Sequence, residues 1–170
     1  YQAEEFRFYL QDLKACALLL LEGDGSPARA VAEELGLTVI DVRIEHERPA
    51  GCFDLLAAER GVPIQGEPDL ARKTALILHT SGTTSRPKIV PLTHVNLVSS
   101  ATNIARFLVL NKQDRCLNVM PLFHIHGLVG ALLSTLAGRA SVICAPGFDA
   151  SRIFDWVREY QPSWYTAVPT

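Results

Sequence analysis

The sequence has no apolar run of the length that a membrane-spanning helix requires. Such a helix needs about 20 consecutive apolar residues, whereas the run Ala15–Leu21 has only the length of a buried strand. No segment shows the charged start and apolar centre of a secretory signal peptide. The sequence therefore predicts neither a membrane span nor a secreted protein.

The chain also lacks an excess of positive charge. Sixteen lysine and arginine residues stand against eighteen aspartate and glutamate residues, which gives a formal net charge of −2. Nucleic-acid-binding proteins usually concentrate basic side chains on one face, and the sequence contains no such concentration. Nucleic acid is therefore not an expected partner.

Cysteine is scarce, and its spacing matches no metal site. The four cysteines are Cys16, Cys52, Cys116 and Cys144. Three of them fall in predicted strands, so buried, reduced thiols are expected, as is usual in the cytoplasm. We therefore predict a cytoplasmic protein without a metal-ligand set.

The sequence does not begin with methionine. It starts at Tyr1 inside a predicted helix and stops directly after a predicted strand. Hydrophobic residues make up 48% of the chain, which suffices for a sizeable core in one compact domain. We expect residues 1–170 to be one fragment of a longer polypeptide.

Segments with strand and helix patterns alternate along the chain. The predicted strands are Ala15–Leu21, Thr38–Ile44, Lys73–His79, Cys116–Met120, Ala140–Cys144 and Trp164–Val168. Helices are predicted over 3–13, from Ser26 to about Gly36, after Thr93, from His124 or Ile125 to Leu136, and from Asp149 or Ser151 to Tyr160. Residues 45–72 are ambiguous, with a short helix from Phe53 to Arg60 as one interpretation. The alternation predicts an α/β fold: a doubly wound, mostly parallel sheet with helices on both faces.

Apolar spacing within the helices predicts which faces are buried. The helix that Thr93 caps is expected to turn these residues inward: Val95, Val98, Thr102, Ala105 and Leu108. The segment that ends at Leu136 is so uniformly apolar that we expect it to be buried. Trp156 and Trp164 are assigned to the core because large aromatic side chains usually lie there.

A polar stretch with a single glycine separates two apolar strands. Residues 78–88 have the sequence LHTSGTTSRPK. Glycine lets the backbone approach a ligand closely, and hydroxyl and backbone N–H groups donate to phosphate oxygens. The lysine adds a compact positive charge. The pattern indicates a strand, a phosphate-binding loop and a second strand.

The stretch matches neither of the two common phosphate-loop patterns. A Walker A loop needs glycine directly before the lysine, and a dinucleotide fingerprint needs three glycines. Here Pro87 precedes Lys88, and Gly82 is the one glycine. A polar surface loop is the simpler alternative, but the length of the string SGTTSRPK argues against chance.

Three segments resemble the adenylate-forming superfamily of acyl-CoA synthetases, luciferases and peptide-synthetase adenylation domains. They are residues 80–88 (TSGTTSRPK), 120–128 (MPLFHIHGL) and 163–170 (SWYTAVPT). The resemblance is strongest to the oxalate–CoA ligase group, and three segments carry it: the loop, the PLT that follows it at 91–93 and the ending WYTAVPT. The resemblance implies that residues 1–170 are a single α/β fragment of the large N-terminal AMP-binding domain, with the C-terminal domain outside this sequence.

The resemblance also implies roles for individual residues. In the superfamily the loop holds the β- and γ-phosphates of ATP, which assigns ATP binding to Thr80, Ser81, Gly82, Thr83, Thr84 and Lys88. In related CoA ligases the histidine that matches His124 lines the acyl pocket near the reacting carboxylate, so His124 is the candidate catalytic residue. His126 has no such counterpart, and we interpret it as structural. Zinc is not expected, because histidines two apart lie on different faces of a helix and no third ligand is evident.

The implied chemistry is that of an AMP-forming acyl-CoA synthetase. A carboxylate attacks the α-phosphate of Mg-ATP to give an acyl-adenylate and pyrophosphate, and the thiol of coenzyme A then displaces AMP. A small carboxylic acid, ATP, Mg²⁺ and coenzyme A are therefore the expected substrates and cofactors. Oxalate is the first choice of acid, with malonate, coumarate and fatty acids as alternatives. A non-catalytic nucleotide-binding module and an unrelated phosphate or flavin binder are the alternatives from other classes.

One position departs from the superfamily pattern. Ile89 follows the proline–lysine pair where the superfamily usually has glycine. A β-branched side chain stiffens the backbone, so Ile89 slows loop closure if that glycine serves movement and matters little if the position is simply strand. The residues for adenine, ribose, Mg²⁺ and the catalytic lysine are expected outside this sequence. The 170 residues alone are therefore expected to form no acyl-adenylate.

Overall fold

A computed structural model describes residues 1–45, 47–49, 51–56, 71–80 and 87–168. These residues fall into two compact units, with the boundary between residues 65 and 66. Each unit has a buried apolar core of its own. That residues 1–170 belong to one larger domain stays a prediction.

The first unit is a three-stranded sheet with two helices. Its elements are α1 (Ala3–Asp12), β1 (Ala17–Leu21), α2 (Ala28–Glu34), β2 (Thr38–Arg43) and β3 (Asp54–Leu56). Strands β1 and β2 are parallel, and β3 pairs antiparallel with β2. The side chains of Leu10, Val31 and Ala32 form the core between the helices and the sheet. The predicted strand–helix–strand order is confirmed here.

Asp54–Leu56 form a strand, where one interpretation of the sequence gave a short helix from Phe53 to Arg60. Asp54 lies opposite Arg43, and Leu56 lies opposite Asp41. Pairing with an existing strand supplies the backbone hydrogen bonds that a short helix would make internally, so tertiary context overrides local preference. The rest of the proposed helix, after Leu56, lies outside the described residues.

The second unit combines an antiparallel hairpin with a separate parallel sheet. Its elements are β4 (Thr74–Thr80), β5 (Lys88–Thr93), α3 (His94–Phe107), β6 (Arg115–Asn118), a π-helix (His126–Leu133) continued by α4 (Ser134–Ala137), β7 (Ser141–Cys144), α5 (Ile153–Tyr160) and β8 (Trp164–Tyr165). Strands β4 and β5 are antiparallel, and β6 lies between β7 and β8, parallel to both. The predicted α/β class with mostly parallel strand pairs is confirmed, although the described strands form three sheets rather than one.

The core of the second unit lies around β6. Leu117 is fully buried and packs with Val119 and Trp156, which confirms the core position of that tryptophan, whereas Trp164 is only half-buried. The successive residues Cys116, Leu117 and Asn118 are all buried, so β6 is covered on both faces, as is usual for a strand of a parallel sheet.

Only one of the four cysteines is buried as expected. Cys116 is fully buried in β6, and burial raises the pKa of its thiol, an effect that a hydrogen bond with Thr135 opposes. Cys16 and Cys144 are exposed, and Cys52 is half-buried. The expectation of buried thiols is wrong for these three because they lie at strand ends or outside the strands.

Helix α3 buries Ala105 as expected, but the larger apolar residues predicted to share its inward face are exposed. Ala101 and Ala105 are buried, whereas Val95, Val98 and Leu108 are exposed. The two alanines lie four positions apart and therefore share one helix face. Alanine allows the backbones of α3 and the following helical segment to approach closely. The distance between these two helical segments therefore decides which face of α3 is buried.

The start of α3 is fixed by a capping box. The backbone N–H of Asn96 donates to Thr93 Oγ1 at 3.2 Å, and the backbone N–H of Thr93 donates to Asn96 Oδ1 at 2.9 Å. Two N–H groups at the helix start that lack intrahelical partners are satisfied in this way. The cap joins α3 directly to β5 and so fixes the angle between them.

Replacing Thr93 with alanine is expected to lower the free energy of unfolding by about 1 kcal/mol, the usual cost of a lost helix cap. Urea denaturation followed by circular dichroism measures the change. Ser99→Ala is the control, because Ser99 is exposed within the same helix and alanine favours helix. Equal stability of Thr93→Ala and the unaltered protein would show that the cap contributes nothing.

Candidate functional site

The hairpin brings the two ends of the predicted phosphate loop together. Thr80, the last residue of β4, lies opposite Lys88, the first residue of β5. Both side chains are exposed, and no described carboxylate lies within ion-pair distance of the Lys88 ammonium. Ser81, Gly82, Thr83 and Thr84 lie outside the described residues. The two predicted strands on either side of the loop are confirmed, and a hydroxyl and an ammonium lie at the strand ends that face it.

Ile89 lies within β5 and not in the loop. It pairs with His79 on β4, and its side chain is exposed. The position that departs from the superfamily pattern is therefore strand, where isoleucine is a favoured residue.

A pocket of about 460 Å³ lies between the hairpin, α3 and the start of the π-helix. Its polar lining residues are Thr80, Asn96, Ser100 and His126, and the remaining ones are aliphatic or glycine. Strands β4 and β6 belong to different sheets, so the loop and the His124 segment do not follow strands of one sheet. The pocket nevertheless joins Thr80, at the end of β4, to the helical segment that follows β6.

His124 lies in the turn between β6 and the π-helix. Its backbone N–H donates to Pro121 O at 3.2 Å, and its carbonyl accepts from the N–H of Leu128 at 3.0 Å. The imidazole is exposed, and its ring centroid is 4.6 Å from that of Phe123. The backbone of His124 is thus held in place while its ring faces solvent next to the pocket segment. Its catalytic role stays a prediction.

His126, which the sequence suggested was structural, lines the pocket. Its Nε2 lies 2.7 Å from Thr166 Oγ1, and both side chains are half-buried. The pair is 40 residues apart in the chain, and no spacing rule connects the two positions. The available signal was the second histidine of the FHIH segment, which sequence reasoning assigned to a different helix face from His124.

The π-helix begins where the chain turns back closely over residues 120–121. A Cβ at Gly127 would lie 2.3 Å from Pro121 O and 2.8 Å from Met120 O, so no side chain fits there. At the other end, the Ser134 hydroxyl donates to Gly130 O at 2.6 Å. Segments of π-helix are rare and often occur at functional sites, and this one carries the pocket residue His126 on its first turn.

The described residues offer no cluster for a metal ion. Within residues 1–45, 47–49, 51–56, 71–80 and 87–168, no three histidine, cysteine, aspartate or glutamate side chains are placed to hold one. None of the helices in these ranges combines the length and the apolar character needed to cross a membrane.

The whole chain, residues 1–170, matches the family described as AMP-binding enzyme. The chain belongs to this family. Among AMP-binding enzymes it is 41% identical to an oxalate–CoA ligase of Arabidopsis thaliana, over 100% of this chain and 34% of that protein. It is 37% identical to an oxalate–CoA ligase of Saccharomyces cerevisiae, over 100% of this chain and 35% of that protein. The chain therefore spans about a third of the length of these curated relatives.

Solved structures of AMP-binding enzymes share the fold. ATP-bound MatB from Rhodopseudomonas palustris matches 94% of this chain and 31% of its own, with a TM-score of 0.71 and 29% identity. The o-succinylbenzoate coenzyme A synthetase MenE of Bacillus subtilis, in complex with ATP and magnesium ion, matches 98% of this chain and 32% of its own, with a TM-score of 0.72 and 25% identity. The α/β fold and the superfamily resemblance of the loop are both confirmed. The roles of individual residues stay predictions.

Proposed function

We propose that the protein to which this chain belongs is an AMP-forming acid–CoA ligase, with oxalate as its acid. The observation that carries the proposal is the similarity to oxalate–CoA ligases over the whole chain, at 37% and 41% identity. The antiparallel hairpin around the predicted phosphate loop supports it. Malonate, coumarate and fatty acids remain the alternative acids.

The described ends of the loop have the chemistry that a departing pyrophosphate requires. Thr80 offers a hydroxyl donor, and Lys88, directly opposite, offers an ammonium. As the acid carboxylate attacks the α-phosphate, negative charge builds up on the β- and γ-phosphates. Donors fixed beforehand around that charge lower the barrier without further rearrangement. In this proposal Ser81, Gly82, Thr83 and Thr84 complete the same cradle.

His124 has the candidate role nearest to the acid. In this proposal its ring, which is exposed next to the pocket segment, contacts a carboxylate that lies over the turn. Holding the acid and the α-phosphate together converts a bimolecular step into an effectively intramolecular one. The thiol of coenzyme A then attacks the acyl-adenylate carbonyl, and AMP leaves.

Magnesium would reach such a site bound to the phosphates of ATP, where it neutralises charge. The described residues supply no cluster of carboxylates for it.

The test is pyrophosphate release by the intact protein with ATP, Mg²⁺, coenzyme A and a panel of oxalate, malonate, coumarate and palmitate. We expect turnover with oxalate above the other three acids. Preference for another acid would support the proposed ligase activity and overturn the assignment of oxalate as the acid. No release with any acid, together with retained ATP binding, would favour the non-catalytic nucleotide-binding module. A flavin absorption spectrum in the purified protein would point to a flavin binder instead.

The chain alone is the natural negative control. Because it spans about a third of its relatives, we expect residues 1–170 to release no pyrophosphate with any acid. Release by the chain alone would show that the site is complete within it.

A further inference from the structure

Thr166 lies where two neighbouring parallel strands end. Strands β6 and β8 pair with Leu117 opposite Tyr165, and Thr166 directly follows β8. The π-helix, which starts at His126, follows β6 after a short turn. Segments that leave the carboxyl ends of adjacent parallel strands meet at one edge, which is where ligands of α/β proteins bind. The hydrogen bond between His126 Nε2 and Thr166 Oγ1 connects the two segments at this edge.

The His126 ring has little freedom to turn. On one side Nε2 is bonded to Thr166 Oγ1 at 2.7 Å. On another side the ring packs against Gly130, where an added Cβ would lie 3.3 Å from His126 Cδ2. The ring therefore occupies the space that a side chain at residue 130 would need. The backbone beneath the ring is held by the close turn at Gly127. The ring is therefore fixed at the pocket wall by contacts from two segments distant in sequence.

The hydrogen bond fixes the position of the ring and is compatible with either state of Nε2. In a neutral imidazole one nitrogen carries the proton and the other accepts, and the partner of one nitrogen determines the state of the other. By rotating, a threonine hydroxyl can either donate to an unprotonated ring nitrogen or accept from a protonated one. It makes this bond only while the ring stays within hydrogen-bond distance. Valine has the same shape and cannot make the bond at all.

We propose that Thr166 is a positioning residue for the acid pocket, acting through His126. Thr166 holds the imidazole at the pocket wall, so that one ring edge faces a bound acid in a constant orientation. The inference rests on the proposed function, in which the acid lies beside His124, and adds that the acid also reaches the pocket wall at His126.

The test uses three variants of the intact protein and two independent readouts. Thr166→Val is expected to raise the KM for the acid about tenfold while the KM for ATP stays unchanged. Thr166→Ser, which keeps the hydroxyl, is expected to restore the acid KM to within twofold. Thr38→Val is the matched control, since Thr38 is an exposed strand residue of the first unit, and it should change neither KM. Nitrogen-15 NMR of the histidine rings should show a changed His126 signal in Thr166→Val alone.

The outcomes distinguish the positioning role of Thr166 from the proposed ligase function. An unchanged acid KM in Thr166→Val, with normal turnover by the unaltered protein, would overturn the positioning role and leave the ligase intact. Equal rises of the KM for acid and ATP would mean a general structural effect and would also overturn it. No pyrophosphate release by the unaltered protein with any acid would overturn the proposed function and the positioning role together, even with the ring signal as expected.

Discussion

Replacing Gly127 with alanine is expected to destabilise the protein by about 3 kcal/mol, the upper range for forcing an extra methyl group into a packed site. The added Cβ would lie 2.3 Å from Pro121 O and 2.8 Å from Met120 O. Both oxygens belong to the backbone, so the clash cannot be relieved by rotating a side chain. The chain must instead open the turn between β6 and the π-helix, and that movement would displace His126 from the pocket.

The measurement is urea denaturation at constant pH, with the midpoint and slope compared between variants. Gly25→Ala is the matched control for the glycine-to-alanine change itself, because nothing lies within 4 Å of its Cβ position. Gly130→Ala gives an intermediate case, since its Cβ would meet only His126 Cδ2, a side-chain atom, at 3.3 Å. A Gly127→Ala variant as stable as Gly25→Ala would mean that the turn at residues 120–121 yields at little cost.

The strands, helices and loop order of this chain were predictable because they depend on local signals. Alternating and apolar runs mark strands, and Thr93 marks the start of α3 by a side chain that satisfies free N–H groups. The stretch from Thr80 to Lys88 was recognisable by the order of its residues and by its resemblance to the superfamily motif, whereas composition alone favours a polar surface loop.

The features that the sequence did not give depend on distances between segments. Ala101 rather than Val95, Val98 or Leu108 joins the predicted Ala105 on the buried face of α3 because a neighbouring helical segment lies close. Hydrophobicity alone ranks valine and leucine above alanine for burial. The π-helix has no distinct composition, so its apolar segment was predictable only as a buried helix. The pocket position of His126 depends on Thr166, 40 residues away, which local patterns do not connect.

Replacing Lys88 with methionine is expected to lower kcat/KM for pyrophosphate release about 100-fold, as does the removal of one fixed donor from a charge-stabilising site. Methionine keeps an unbranched stem of similar length but removes both the charge and the N–H donors. Lys88 lies at the base of the loop opposite Thr80, where its ammonium would neutralise the β- and γ-phosphates. Lys112→Met is the control, because Lys112 is an exposed turn residue with the same charge.

How the loss divides between kcat and KM identifies what Lys88 does. A fall in kcat with an unchanged KM for ATP would mean that Lys88 acts on charge that develops only in the transition state. A rise in the KM for ATP with an unchanged kcat would mean equal binding of ground state and transition state, so that the lysine merely holds the nucleotide. Lys88→Arg separates charge from shape, since a guanidinium keeps the charge in a broad planar group. Equal rates for Lys88→Met and Lys112→Met would instead mean that the loop binds no phosphate through this side chain, and the nucleotide site would then have to lie elsewhere.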